Sequence, residues 1–305
     1  MTALIITHRT EYRYRTAVAL GSHRMMLRPR ETRELKLLAF DLTLSPDAAV
    51  TWAHDVTGNS VATASFTGMT DSLLVESRTT VDLMAPVWPV FDIAASAQTY
   101  PFRYSDDDWT DLGALGRPQY LDSAGRLSNW AQGFVMQGPT DTLSLLKDVA
   151  NGVSTQIVYE SRETVGTQGP LETLDRGRGS CRDLAVLFAE AARTLGFGAR
   201  IVSGYLFDPN RDRIGSADAG STHAWVEVFV PGAGWIPFDP TNRAVGSGNL
   251  IAVAAARHIS QVAPITGSFH GRHDEPVDMA VQVSVEPTDE NAAHRDSPWR
   301  NADMS

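Results

Sequence analysis

Apolar and polar positions alternate with a period of two through most of residues 1–90. Tyr12 and Tyr14 alternate with Arg13 and Arg15; Leu38, Phe40, Leu42 and Leu44 alternate with Ala39, Asp41 and Thr43; Leu73, Val75, Ser77, Thr79, Val81 and Leu83 alternate with Leu74, Glu76, Arg78, Thr80 and Asp82. This period sends successive side chains to opposite faces, so the segments read as half-buried antiparallel strands. Asp55 to Asn59 and Thr67 to Thr70 supply the turns between them, and Pro86 and Pro89 close the region. Residues 1–90 are expected to form an antiparallel, β-sandwich-like domain.

Residues 91–138 carry weaker signals. Pro101, Asp106 to Asp108, Gly113, Gly116 and Pro118 punctuate a connecting segment that ends in a helix over Leu121 to Ala131. A second domain, 139–285, opens with Asp141 as an N-cap ahead of Leu143, Leu146 and Val149 at helical spacing. Its clearest element runs from Ser180 to Gly196, where Leu184, Leu187, Phe188, Ala191 and Leu195 form one apolar stripe. Ser180 caps this helix, Asp183 completes an S-x-x-D box, and Gly196 stops it. Strands are expected over Ala199 to Leu206, His223 to Val230 and Trp235 to Phe238, the last two as a hairpin around Pro231 to Gly234. A late strand over Val277 to Val285 is grouped with this domain, and the polar stretch 286–305 is expected to be a disordered tail. The fold class is therefore α+β.

Composition narrows the picture. The chain has 305 residues, 43% of them apolar, a formal net charge of −10 and a single cysteine, Cys181. A lone cysteine excludes an intrachain disulfide and a cysteine-rich zinc site. An acidic chain without a basic stripe is a poor nucleic-acid binder. Residues 1–16 lack the order of charged, apolar and small residues found in a signal peptide, and no apolar run approaches the ~20 residues of a membrane helix. A soluble, cytoplasmic protein with no membrane partner is expected.

Cys181 falls in the first turn of the capped helix. There the unpaired N–H groups and the positive end of the helix dipole favour a thiolate. A nucleophilic thiol needs a base, and the base needs an orienting group. His223 opens one hairpin strand and Asp239 ends the other. If Pro231 and Gly232 form the turn, Asp239 lies opposite Ala224 and one bulge brings it to His223; a turn at Gly232 and Ala233 moves it toward Val226 and weakens the contact. The bland alternatives are a buried cysteine, a structural histidine and an ordinary Asp-Pro-Thr turn.

Four blocks, Gly179 to Asp183, Ala199 to Leu206, Thr222 to Glu227 and Gly234 to Asn242, resemble the core of the bacterial transglutaminase-like cysteine proteases, a branch of the papain-like transglutaminase superfamily. His8 to Tyr14, Leu27 to Pro29 and Asp55 to Asn59 resemble the β-rich domain that precedes this core in that family. The resemblance implies a papain-like core in which a helix bearing the cysteine packs on an antiparallel sheet bearing the histidine and the aspartate. It also implies roles: Cys181 as nucleophile, His223 as general base and then acid, and Asp239 as orienter. The implied chemistry is hydrolysis or acyl transfer at peptide or carboxamide bonds through a thioacyl enzyme, without cofactor or metal, on a peptide, protein or amide substrate. Hydrolysis is favoured over cross-linking by the resemblance. Relatives commonly carry a Gly-Arg-Asp-Tyr-like segment after the His-Ile that follows the Asp-Pro-Thr block, whereas Arg257 to Pro264 runs on without it, which bears on the surface beside the cleft.

Secondary candidates are weaker. The backbone N–H of Cys181 is a natural oxyanion donor, with Tyr159 or Gln168 as a second; Arg178 and Arg182 could support a thiolate. His270, His273, Asp274 and Glu275 resemble metal ligands but lack a helical frame. The segment from Asp208 to Gly220 has the composition of a lid. The alternative to an enzyme is a non-catalytic transglutaminase-like binding module whose β-rich half offers a partner surface.

Overall fold

In the computed structural model, residues 2–86, 88–162, 166–207, 222–271 and 277–288 are described. The N-terminal region contains β1 (Thr2–Leu20), β2 (His23–Met25), β3 (Leu35–Ser45), β4 (Ala48–His54), β5 (Ser60–Phe66) and β6 (Thr70–Leu83). The period-two expectation holds closely on β6, where Leu73, Val75, Ser77, Thr79, Val81 and Leu83 are all buried. It fails at Leu38, which is 48% exposed because the register of β3 against β6 shifts between Leu37 and Ala39. One extra residue there turns Leu38 away from the core and restores the alternation from Phe40 onward.

The remaining elements are β7 (Thr99–Tyr100), α1 (Asp106–Leu112), α2 (Arg126–Gln132), β8 (Thr140–Asp141), α3 (Thr142–Gln156), β9 (Val158–Tyr159), α4 (Pro170–Arg176), β10 (Arg178–Gly179), α5 (Cys181–Thr194), β11 (Gly198–Leu206), β12 (Thr222–Val230), β13 (Gly234–Asp239), β14 (Ala244–Val245), β15 (Leu250–Ala256), β16 (Ile265–Thr266), β17 (Phe269–His270) and β18 (Val277–Pro287). The core sheet is antiparallel, in the order β14-β13-β12-β11-β15, and α5 packs on β11 and β12 with α2, α3 and α4 around it. Helix α1 was not expected: Asp106 to Asp108 read as loop punctuation, yet they form an acidic first turn behind the Ser105 cap, a favourable placement at a helix N-terminus. Helix α2 starts later than the expected Leu121, at Arg126. None of the helices among the described residues is long and apolar enough to cross a membrane.

One expectation about organisation needs correction. The late strand does not belong with residues 139–285 as a core element. β18 pairs antiparallel with β1, from Leu4 beside Pro287 to Tyr14 beside Val277, and so completes the N-terminal sheet. Its alternating pattern suits a half-solvated sheet, which the core sheet is not. The tail expected over 286–305 has Glu286 and Pro287 in this strand; residues 289–305 lie outside the described residues.

The N-terminal region also shares part of its core with the rest of the chain. One end of the long β1–β6 face, with Tyr14, Val18, Leu73 and Val75, packs on Met25, Leu27, Ala62 and Ala64. The other end, with Leu4, Ile6, Val81 and Leu83, joins the cluster built around α5. The loop ahead of β5 adds a polar clasp. The Asn59 amide accepts from the Ala255 N–H at 2.8 Å and donates to the Ala255 carbonyl at 3.0 Å, as a paired strand residue would.

Candidate active site

The local sequence places Cys181 at the first residue of α5. The expected box closes: the Ser180 N–H and hydroxyl both donate to Asp183 Oδ2, at 2.8 and 2.9 Å. Asp183 Oδ1 accepts from the Gln168 N–H at 2.7 Å and from Arg162 Nη2 at 2.9 Å. Arg162 and Gln168 are thereby tied to the start of the helix. A single apolar stripe needs only one covered face, yet α5 is buried on all sides. Glu190 and Arg193, at 0% and 2% exposure, pair at 2.6 Å. Glu190 also accepts the N–H groups of Gln119 and Tyr120, and Arg193 donates to the carbonyls of Leu115, Ala199 and Arg257. A buried charge pair is tolerable only when its hydrogen bonds are filled in this way.

The hairpin that carries His223 and Asp239 takes neither of the two expected registers. Val230 pairs Gly234 and Val226 pairs Phe238, around a three-residue loop from Pro231 to Ala233. Gly232 has φ +87°, and a Cβ there would lie 2.4 Å from Ala94 N, so the loop needs glycine. Continued by one residue, this register sets Asp239 opposite Trp225, with His223 on the diagonal of the same face. No bulge is required, because diagonal neighbours on one face are within reach of long side chains.

His223 Nε2 lies 2.8 Å from Asp239 Oδ2, with the two residues at 2% and 1% exposure. Asp239 Oδ1 accepts from the N–H groups of Thr241 and Asn242, and Oδ2 also accepts from Asn242 Nδ2 at 2.7 Å. The other imidazole nitrogen, Nδ1, is buried without a nitrogen or oxygen partner, and the thiol of Cys181 interacts with this ring by hydrogen bond and charge. Trp225 stacks on His223, with ring centroids 6.1 Å apart at 24°.

Burial works against every charge in this cluster, and the partners outweigh it. For Cys181, burial raises the thiol pKa, but the hydrogen bond and charge of His223, the Ala224 N–H and the charge of Arg182 bring it below the usual thiol value. For His223, burial is opposed by the charge and hydrogen bond of Asp239 and by Cys181, and the net direction is upward, to about 10. For Asp239, burial is opposed by His223 and by Asn242, and the net direction is downward. The arrangement favours a thiolate beside an imidazolium held by a carboxylate.

Cys181, His223 and Asp239 are thus in one cluster. Tyr159 lies on β9, paired with Gly179 just before the helix, while Gln168 is 5% exposed and its Oε1 is buried without a partner. Arg182 donates to the Arg162 carbonyl at 2.9 Å, and Arg178 is exposed on β10. Asn242 and Trp225 were not singled out as site residues. Asn242 could have been found as the last residue of the turn that follows Asp239, and Trp225 as the residue two positions after His223 on the same strand face. His270 pairs with Ala19 on the N-terminal sheet, and His273, Asp274 and Glu275 lie outside the described residues, as does the segment from Asp208 to Gly220. Among the described residues, no three His, Cys, Asp or Glu side chains converge as metal ligands.

Comparison with known proteins agrees with this architecture. Residues 128–240 match the transglutaminase-like superfamily core, a span that contains Cys181, His223 and Asp239. Residues 4–82 match the bacterial transglutaminase-like N-terminal region. The uncharacterised protein Rv2569c of Mycobacterium tuberculosis is 29% identical, over 95% of this chain and 94% of its own length. The uncharacterised protein ML0607 of Mycobacterium leprae is 36% identical over 115 residues, 37% of this chain and 40% of its own. The crystal structure of a "putative cysteine protease" from Cytophaga hutchinsonii has the same fold, with a TM-score of 0.70 and 19% identity over 94% of this chain and 98% of that one. The chain thus carries a region that matches the transglutaminase-like superfamily core behind a region that matches the bacterial transglutaminase-like N-terminal region.

Proposed function

We propose that the protein is a cysteine-dependent hydrolase or acyltransferase acting on peptide or carboxamide bonds. The observation that carries this reading is the burial of Cys181, His223 and Asp239 in one cluster, with the imidazole held at 2.8 Å by Asp239. The Cys181 thiolate attacks the carbonyl carbon, and its electrons move onto the oxygen, which the Cys181 N–H at the helix start is placed to receive. The tetrahedral intermediate collapses with cleavage of the C–N bond, His223 gives its proton to the departing amine, and a thioester remains. Neutral His223 then takes a proton from water, or from a second amine, as that nucleophile attacks the thioester. Cys181 leaves as the thiolate and His223 is again protonated. Asp239 holds the ring and stabilises its charged form throughout.

Hydrolysis is the favoured outcome, with a peptide, protein side-chain amide or simple carboxamide as substrate class. Mass spectrometry after exposure to a peptide and carboxamide library tests the reading directly. Turnover and thioacyl adducts on Cys181, both lost in Cys181→Ala, are expected. A folded protein whose Cys181 takes up no adduct and alkylates no faster than a free thiol near neutral pH would instead be a binding module on the same fold.

A further inference from the structure

We propose that Tyr205 is a positioning residue for His223, and that His8 and Ser77 of the N-terminal sheet hold it in place. This inference rests on the catalytic reading above and assigns the N-terminal region a part in the site. His8 and Ser77 face each other across β1 and β6 in a sheet whose buried face is otherwise largely apolar at this end. Both are 1% exposed, and Tyr205, at 2% exposure, comes from the core sheet to meet them. Its hydroxyl lies 3.0 Å from His8 Nδ1 and makes a further hydrogen bond with Ser77, while His8 Nε2 lies 2.9 Å from Thr10 Oγ1. One arrangement of protons fills the chain: Ser77 donates to Tyr205, Tyr205 donates to His8 Nδ1, and His8 Nε2–H donates to Thr10. Burial lowers the His8 pKa to about 4, which agrees with the neutral ring this chain requires.

Tyr205 sits where β11 needs an external anchor. The next residue back, Gly204, pairs directly with His223, and Tyr205 itself pairs with Thr222. On its other side, β11 loses register with β15 between Ser203 and Gly204, so that ladder does not fix this end of the strand continuously. Phenylalanine at 205 and an apolar residue at 8 would fill the space and keep a ring contact like the edge-to-face pair now present at 5.7 Å. A buried polar chain adds little net stability over such an apolar pair, but it permits only one placement.

The test uses iodoacetamide as its probe, and Cys181, the single cysteine, as its reporter. Alkylation rates are measured between pH 5 and 8 on the full chain, with thermal melting of each variant recorded beside them. In Tyr205→Phe and His8→Phe, the rate at the low end is expected to fall about tenfold, as a small displacement of the base would produce. In His8→Asn, whose side-chain oxygen can stand in for Nδ1 as acceptor, the rate is expected within about twofold of wild type. If Tyr205→Phe does not fold, the two His8 variants carry the comparison alone. Folded Phe variants with a wild-type profile, or a His8→Asn rate as low as that of His8→Phe, overturn the inference. A His223→Ala control separates the two levels. If it leaves the wild-type profile unchanged, the catalytic reading fails and this inference with it. If it removes the low-pH reactivity while the Phe variants keep it, the positioning role alone is overturned.

Discussion

At Asp239 two oxygens meet four donors, and Asn242 supplies two of them. Asn242→Ala should cost about 2 kcal/mol in urea unfolding, the usual loss for hydrogen bonds to a charged group, and should slow turnover of any amide substrate found. His8 makes an opposite kind of prediction. Its folded pKa of about 4 lies below the unfolded value of 6.5, so the unfolded chain takes the proton first as the pH falls. Stability is unaffected by this group above about pH 6.5 and is lost between there and about pH 4, by about 3 kcal/mol. The urea midpoint of His8→Asn should therefore fall less between pH 7 and 4.5 than that of wild type. Cys181, His223 and Asp239 could be grouped from the sequence because they fall at a capped helix start and on the two strands of one hairpin, although each alone has a bland reading. Asn242, Trp225 and Tyr205 stand out far less. Amide and aromatic side chains are common packing residues, and only the three-dimensional contacts distinguish them.

Strand β11 illustrates how much of an element its sequence conveys. Its position between Ala199 and Leu206 was readable from an apolar run, and so were α5, with its cap, and both hairpin strands. The register of that hairpin was not, because a three-residue loop falls between the two tight turns considered. Strand β15 also went unread, since Leu250 to Ala256 is a continuous apolar run without period. Gly204 is where β11 is least tolerant. A Cβ there would lie 2.0 Å from the Ile251 carbonyl oxygen and 2.9 Å from the Trp225 ring, which itself stacks on His223. Gly204→Ala should lower stability by about 3 kcal/mol through overpacking, read as a fall in melting temperature. Where the variant still folds, Cys181 alkylation should slow with it.

The boundary drawn near residue 90 separates strand patterns from helix patterns, but it does not separate two cores. Half of the β1–β6 face packs with α5, and Asn59 docks on Ala255. Asn59→Ala should lower the melting temperature of the whole protein as one cooperative transition, with no separate early step for residues 1–90. Such coupling was invisible in the sequence, because period-two patterning reports that a face is buried and not what covers it. The pairing of β18 with β1 has a further consequence. During synthesis, Leu4 waits for Pro287, so the first strand made is among the last to acquire its full set of neighbours. Pairings so distant along the chain form slowly, and an unpaired strand edge invites aggregation meanwhile. A nascent chain released before β18 would carry Cys181, His223 and Asp239 on a complete core beside an unfinished N-terminal sheet, and quality control would meet it as a misfolding species.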